Sequence, residues 1–172
     1  IVQRLRGNQD DLYIMSYPPD DLDIVTHPFL DNEHVVIAPA THWAVGQTVT
    51  LAALAAEPFL LRELGSGSRH AIDQHTAASG IQLKVRLSLA SNEAIRELVA
   101  SGMGLAVLSR HALGDKLGAK GLAVLEVAGF PLKWPWSVVH LRSKLLSLPA
   151  QSFLAALLHG DTPLPPDVNL TK

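Results

Sequence analysis

The chain predicts an α/β fold, two lobes of mostly parallel sheet flanked by helices, on three observations. Short apolar runs of strand length, such as Val35-Val36-Ile37, Phe59-Leu60-Leu61 and residues 105–108, alternate with helical segments of about ten residues. Several of those segments open on Ser or Thr and close on glycine, as helices between strands do. A chain of 172 residues, 48% of them hydrophobic, can also bury a real core. In such an alternation the sheet is expected to be largely parallel, with ligands at the strands' carboxyl ends.

Residues 1–8 read as the last turns of a helix, with Ile1, Val2 and Leu5 apolar and Gly7-Asn8 as the stop. The chain is therefore expected to begin inside an element and to be a piece of something longer. Residues 12–16 form a buried strand, stopped by Tyr17-Pro18-Pro19-Asp20-Asp21. Ile24–Leu30 is an edge strand, since Pro28 has no N–H for a central ladder. Residues 33–38 read as a strand covered on both faces. Thr50 caps a short helix over 51–56, broken by Pro58. The strand Phe59-Leu60-Leu61 leads into Gly65-Ser66-Gly67-Ser68, and a helix follows over 69–79, ended by Gly80.

Residues 85–89 alternate with period two, as a half-exposed strand does. Ser91 caps a helix over 92–101 with Ile95, Leu98 and Val99 on one stripe, and Gly102 ends it. Then come a buried strand over 105–108, a short helix over 110–116 and a strand over 122–127. Residues 129–135 break the pattern. Trp136–Leu141 is a further strand, and 149–159 a helix with Pro149 in its first turn and Phe153, Leu154, Leu157 and Leu158 on one face. Residues 161–172 hold three prolines and read as a tail. One lobe is expected over 58–129 and the other from 1–57 with 130–160, with crossings near 56–59 and 128–134.

Composition removes several function classes. Lys plus Arg total 14 against 16 Asp plus Glu, with no basic stripe, so this polypeptide alone is a poor nucleic-acid binder. The absence of cysteine removes disulfides, thiolate zinc sites and cysteine nucleophiles together. No stretch approaches the roughly 18 apolar residues of a membrane helix, and the opening is not a basic segment followed by an apolar one. No membrane contact is expected, and a cytoplasmic location is. The eight histidines form no H-x-x-x-H or H-x-H pair, and His70 and His75 point about 140° apart on a helix, so no metal site is expected. Ser66, His70 and Asp73 are the residue types of a hydrolytic triad, but no G-x-S-x-G elbow is present and one helix start cannot supply the relay. Neither glycine turn fits a Walker loop or a dinucleotide fingerprint. No cofactor and no enzymatic activity are expected.

The order of EPFLLRELGSGSRHAIDQH, a strand, SNEAIRELVASGMGLAVLSRHAL and LAVLEV resembles the effector-binding domain of LysR-type transcriptional regulators, over essentially residues 1–160. NQDDLYIMSYPP with EHVVIAPATHWA is most similar to the subgroup that regulates carbon-dioxide fixation operons. The resemblance implies a periplasmic-binding-protein-like domain, two α/β lobes with an effector cleft between them. It also implies assembly into a dimer or tetramer on DNA, with DNA touched only through a helix-turn-helix domain that this chain lacks. The implied effector is a small anionic metabolite: a phosphorylated sugar, an organic acid or a nicotinamide nucleotide. Family members also carry an opening strand, helix and strand that are missing here, so the first lobe is expected to be incomplete, with a sheet edge that a partner or second copy must cover.

The best candidate site is Gly65, Ser66, Gly67, Ser68 and Arg69, where hydroxyls and helix N–H groups would hold a carboxylate or phosphate with Arg69 or Arg62 as charge partner. An ordinary capped helix accounts for the same residues. A helix terminus supplies about 0.3–1 kcal/mol, up to about 2 when partly buried, whereas a millimolar ligand needs about 4. A second wall is therefore required. Ser91 and Asn92 start another helix that would face the cleft, although Glu93 already complements its dipole and capping explains them as well. Gly102 and Met103 offer a turn with backbone donors, or merely tight packing; Tyr17 and Pro18 would wall the cleft from the first lobe, or only stiffen a loop. Trp134 and Trp136 are read as filling a lobe junction. Two other classes stay open, a transport-type solute-binding protein and a small α/β enzyme.

Overall fold

A computed structural model describes residues 1–114 and 121–159 of the chain. The end of the helix expected over 110–116 and the tail over 161–172 lie outside them. In order, the elements are α1 (Val2–Arg6), β1 (Tyr13–Met15), β2 (Ile24–Leu30), β3 (Glu33–Pro39), β4 (Thr48–Val49), α2 (Leu51–Leu54), β5 (Pro58–Arg62) and α3 (Gly67–Ser79). They continue with β6 (Lys84–Leu89), α4 (Asn92–Ala100), β7 (Leu105–Ser109), a 3₁₀ turn (Arg110–Ala112), β8 (Leu122–Val124), β9 (Glu126–Val127), β10 (Leu132–Lys133), β11 (Trp136–Leu141) and α5 (Leu148–His159). The class is α/β, with sheets flanked by helices.

The chain divides into two compact units, Ile1–Asp31 with the chain from Pro135 onward, and Asn32–Trp134. In the first, the strand order is β1-β11-β2 and both ladders are antiparallel. β2 is an edge strand, where the missing N–H of Pro28 leaves no gap in a central ladder. The register slips between Trp136 and Ser137, and Ser137 stands opposite Pro28. Leu5, Tyr13 and Val139 form the buried core, with Met15, Leu22, Ile24 and Leu141 packed against them. The buried Tyr13 hydroxyl is satisfied at both ends: it accepts from the Asp10 N–H at 2.8 Å and donates to the Arg4 carbonyl at 2.9 Å. After α1 it is Asn8, at φ 50°, that adopts the left-handed conformation, while Gly7 stays at φ −81°; Asn tolerates that region because its short polar side chain bonds locally. In α5, Phe153 is exposed and Leu154, Leu157 and Leu158 are only partly covered.

In the second unit the strand path is β10-β3-β7-β5-β6, with β8 also pairing β3. Side chains alternate cleanly across it. Val36, Ala38, Phe59, Leu61, Leu105 and Val107 face one core with Ile72 of α3 and Leu51 and Leu54 of α2. Val35, Ile37, Leu60, Ala106 and Leu108 face the other with Ile95 and Val99 of α4. This period-two division of buried apolar side chains is what a sheet with helices on both faces demands.

Several sequence expectations are corrected here. The sheets are mixed rather than mostly parallel: among the described residues, parallel pairing is confined to β5 with β6, β5 with β7 and β4 with β9. Parallel neighbours need a crossover of a dozen or more residues, and α3 and α4, at 13 and 9 residues, supply the two that set β5, β6 and β7 in one direction. β3 runs antiparallel to β7, Val35 opposite Leu108 and Ile37 opposite Ala106. Residues 32–57, grouped by sequence with the first lobe, therefore sit in the second unit, because β3 is one of its central strands. The strand expected over 122–127 is two: β8 pairs β3, the Leu125 N–H donates to the Val36 carbonyl at 2.9 Å, and β9 then leaves to pair β4. β6 is more exposed than half, since it is the last strand of its sheet.

Candidate functional site

The carboxyl ends of β5 and β6 place two helix starts on one edge of the second unit. After Arg62 the chain turns through Glu63, whose N–H donates to the Leu89 carbonyl at 3.1 Å and whose carbonyl accepts from the Ser66 N–H at 3.2 Å. Gly65, at φ 90°, closes the turn with open space where a Cβ would lie. Ser66 is then the N-cap of α3, its Oγ accepting from the Arg69 N–H at 3.2 Å. Gly67 and Ser68 open the helix, so their N–H groups have no carbonyl partner within it. Ser68 is buried, at 8% exposure. The second start repeats the device: Ser91 caps α4, its Oγ accepting from the Ala94 N–H at 3.2 Å.

Two guanidinium groups flank these starts, and both are engaged. Arg69 folds along α3, its Nε donating to both carboxylate oxygens of Asp73 at 2.9 Å, and its Nη1 reaches the Arg62 carbonyl at 3.3 Å. Ser88 Oγ donates to that same carbonyl at 3.2 Å. Arg69 thus braces the end of β5. Arg62 extends on the α4 side of the sheet. Its Nε and Nη2 grip Glu63 Oε2 and Oε1 at 2.8 and 3.0 Å, and its Nη1 donates to Asn92 Oδ1 at 2.5 Å. These charge-assisted bonds hold the Glu63 carboxyl below the usual carboxylate range.

The other predicted residues fall at the opposite end of this sheet or in the first unit. Gly102 and Met103 are corrected as companions of this edge. They lie just before the amino end of β7, where Leu105 stands beside Phe59 near the start of β5, and Phe59 is itself about 10 Å of strand from Arg62. There the Met103 carbonyl accepts from Arg86 Nη1 at 3.0 Å. Packing explains the next glycine: a Cβ on Gly104, at φ 153°, would fall 2.3 Å from the Pro58 carbonyl oxygen. Tyr17 and Pro18 follow β1 in the first unit, and burial pushes the Tyr17 phenol pKa up.

A polar group that sequence reasoning missed lies on the same carboxyl edge of the second unit. Asn32, His34 and Ser109 are all buried. Ser109 Oγ donates to Asn32 Oδ1 at 2.5 Å, and His34 stands opposite Ser109 in the β3–β7 ladder. His34 Nδ1 is buried with no hydrogen-bond partner among the described residues. Burial lowers the His34 pKa, opposed by a hydrogen bond with the Leu132 main chain. The one available signal was that polar residues bound two buried apolar strands, and it does not reveal that those strands are neighbours. Elsewhere in the unit a half-open cavity of about 240 Å³ is walled by Val35, Val124, Leu125, Phe130 and Pro131; its cation, Arg110, is held by Glu33 at 3.0 Å. Among the described residues no group of side chains could hold a metal ion, and no helix is long and apolar enough to cross a membrane.

The arrangement offers an oxyanion hydroxyls, helix N–H groups and guanidinium donors at one edge. Known relatives agree with a binding role. Residues 1–161 match the family model described as the LysR substrate binding domain. The chain is 41% identical over 163 residues to the HTH-type transcriptional activator CmpR of Synechocystis sp., covering 94% of this chain and 53% of that protein. It is 38% identical over 158 residues to a RuBisCO operon transcriptional regulator of Acidithiobacillus ferrooxidans, covering 91% of this chain and 51% of the relative. It thus spans about half the length of the curated relatives it matches. Among solved structures it is similar to the CcmR regulatory domain of Synechocystis in complex with 2-PG, with a TM-score of 0.87, 41% identity, and coverage of 92% of this chain and 77% of that one. These relatives are transcriptional regulators, not enzymes, and the chain belongs to the LysR substrate-binding domain family.

Proposed function

We propose that the chain is the effector-sensing part of a LysR-type regulator of the carbon-dioxide fixation type, and that its effector is a small phosphorylated acid of the 2-phosphoglycolate kind. The observation that carries this reading is the 41% identity, over 92% of the chain, to a regulatory domain solved with 2-PG. The carboxyl edge of the second unit supports it. Ser66, Ser68, Ser91 and Asn92 stand at two helix starts where an anion is favoured, and Arg62 supplies the planar fork that suits a phosphate or carboxylate. Helix starts alone fall short of millimolar affinity, so guanidinium and hydroxyl contacts must add to them. In the whole regulator the domain would act within an oligomer in the cytoplasm, with DNA held by a separate helix-turn-helix domain. Effector binding would shift the regulator between two states only through its differential affinity for them.

Thermal unfolding with 2-phosphoglycolate, glycolate and shikimate tests the proposal. At about a hundred times Kd, 2-phosphoglycolate should add about 2.7 kcal/mol of stability, and Ser66→Ala should weaken the effect. No shift with 2-phosphoglycolate, or a shift untouched by Ser66→Ala, would sink the assignment.

A further inference from the structure

We propose that Glu63 is a built-in competitor for the effector's anion: it occupies the Arg62 guanidinium and sets the concentration at which the sensor responds. The inference rests on the effector reading above and sharpens it by naming the charge partner and what opposes it.

The geometry is that of a filled anion site. All three nitrogens of Arg62 are engaged, two by Glu63 in a fork-to-fork pair at 2.8 and 3.0 Å and the third by Asn92 at 2.5 Å. Asn92 is the first residue of α4, so the guanidinium is anchored where that helix begins. The two partners differ in accessibility. The Arg62 side chain is 18% exposed and the Glu63 side chain 42%. The cation is the fixed, largely covered half of the pair, and the carboxylate is the half that can swing into solvent. Glu63 also sits in the turn between β5 and the Ser66 cap, its carbonyl accepting the Ser66 N–H at 3.2 Å. An oxyanion drawn to the start of α4 therefore meets a fork already holding an oxyanion of the same geometry.

Exchange is the step that geometry allows. A phosphate that replaces the Glu63 carboxylate keeps both guanidinium hydrogen bonds, so no donor is left unpaired, and Glu63 recovers its hydration in water. The ion pair then subtracts from the effector's affinity without blocking it. The Arg69–Asp73 pair is different in kind: it lies four residues apart along α3 and braces the β5 carbonyl, an arrangement that stabilises a helix surface by itself.

Two variants with opposite expected signs test the proposal by calorimetric titration of 2-phosphoglycolate. Glu63→Gln removes the competing charge at nearly constant shape and should tighten binding about tenfold, equivalent to about 1.4 kcal/mol. Arg62→Lys keeps the charge but loses the planar fork, and should weaken binding by about the same factor. A merely structural pair would give one sign, because either change would loosen the same turn. Weaker or unchanged binding in Glu63→Gln, with the unaltered chain still binding, overturns this inference and leaves the effector reading standing. Absence of binding in both the unaltered chain and Glu63→Gln overturns both. Melting curves of each variant establish that it is folded at the titration temperature.

Discussion

At the scale of single residues, the three helix caps and the buried histidine show what neighbours in sequence can and cannot reveal. Thr50 and Ser91 were recognisable as N-caps because the bond each makes, to the N–H three residues on, is local; Ser66 makes the same bond, and α3 begins at Gly67, two residues before the expected start. The Arg62 contact with Asn92 spans 30 residues and the Ser109 contact with Asn32 spans 77, so neither could be read from spacing. His34 carries a prediction of its own. Its pKa in the folded chain lies below the ordinary 6.5, because burial disfavours the imidazolium. As pH falls through 6.5 the unfolded chain binds a proton that the folded chain refuses, so stability declines on the acid side and is fully present above that value. Denaturant melts from pH 8 to 5 should show this decline, with a slope of at most about 1.4 kcal/mol per pH unit from this group. Replacing the ring by His34→Leu should flatten the profile; an unchanged profile would mean the acid sensitivity arises elsewhere.

At the scale of elements, most helices and strands were legible, and the failures share a cause. β3, β5 and β7 announced themselves as apolar runs, α4 by cap, stripe and terminal glycine, and α3 by the glycine-serine turn before it and Gly80 after it. What periodicity left open was the partner and direction of each strand. The break at Leu125 exists because β8 and β9 belong to different ladders, which no property of the segment 122–127 encodes. Close approach is another property of the pair. The sequence left backbone donors and tight packing open for the glycines of the 102–104 turn, and at Gly104 the Pro58 carbonyl decides for packing by occupying the space a Cβ would need. Gly104→Ala should therefore force β7 away from β5 and cost about 2–4 kcal/mol, from the clash and the positive φ together. A loss below about 1 kcal/mol in denaturant melts would show that the two strands separate easily.

For the molecule as a whole, ligand binding should leave a footprint set by strand direction. Because β5, β6 and β7 run parallel, their carboxyl ends share one edge and Gly102 and Met103 lie at the other. Saturating 2-phosphoglycolate should slow amide hydrogen exchange at Gly67, Ser68 and over 91–94, and leave 102–104 unchanged. Protection confined to 102–104 would put the ligand at the wrong end of the sheet. The candidate turn, its caps and its serines were all visible in the sequence, as was the family, since each rests on short segments in fixed order. Which partner each arginine takes was not. Arg69, nearest in sequence, is taken by Asp73, and Arg62 is held between Glu63 and a helix that begins 30 residues later. By itself the sequence determined which segments become helices and strands and where the turn before α3 falls, because hydrogen bonds and side-chain periodicity within a few residues decide those things. Only the tertiary structure decided which strands are neighbours, which way they run, which glycine cannot change and how each charge is neutralised, because those depend on groups that folding brings together from distant parts of the chain.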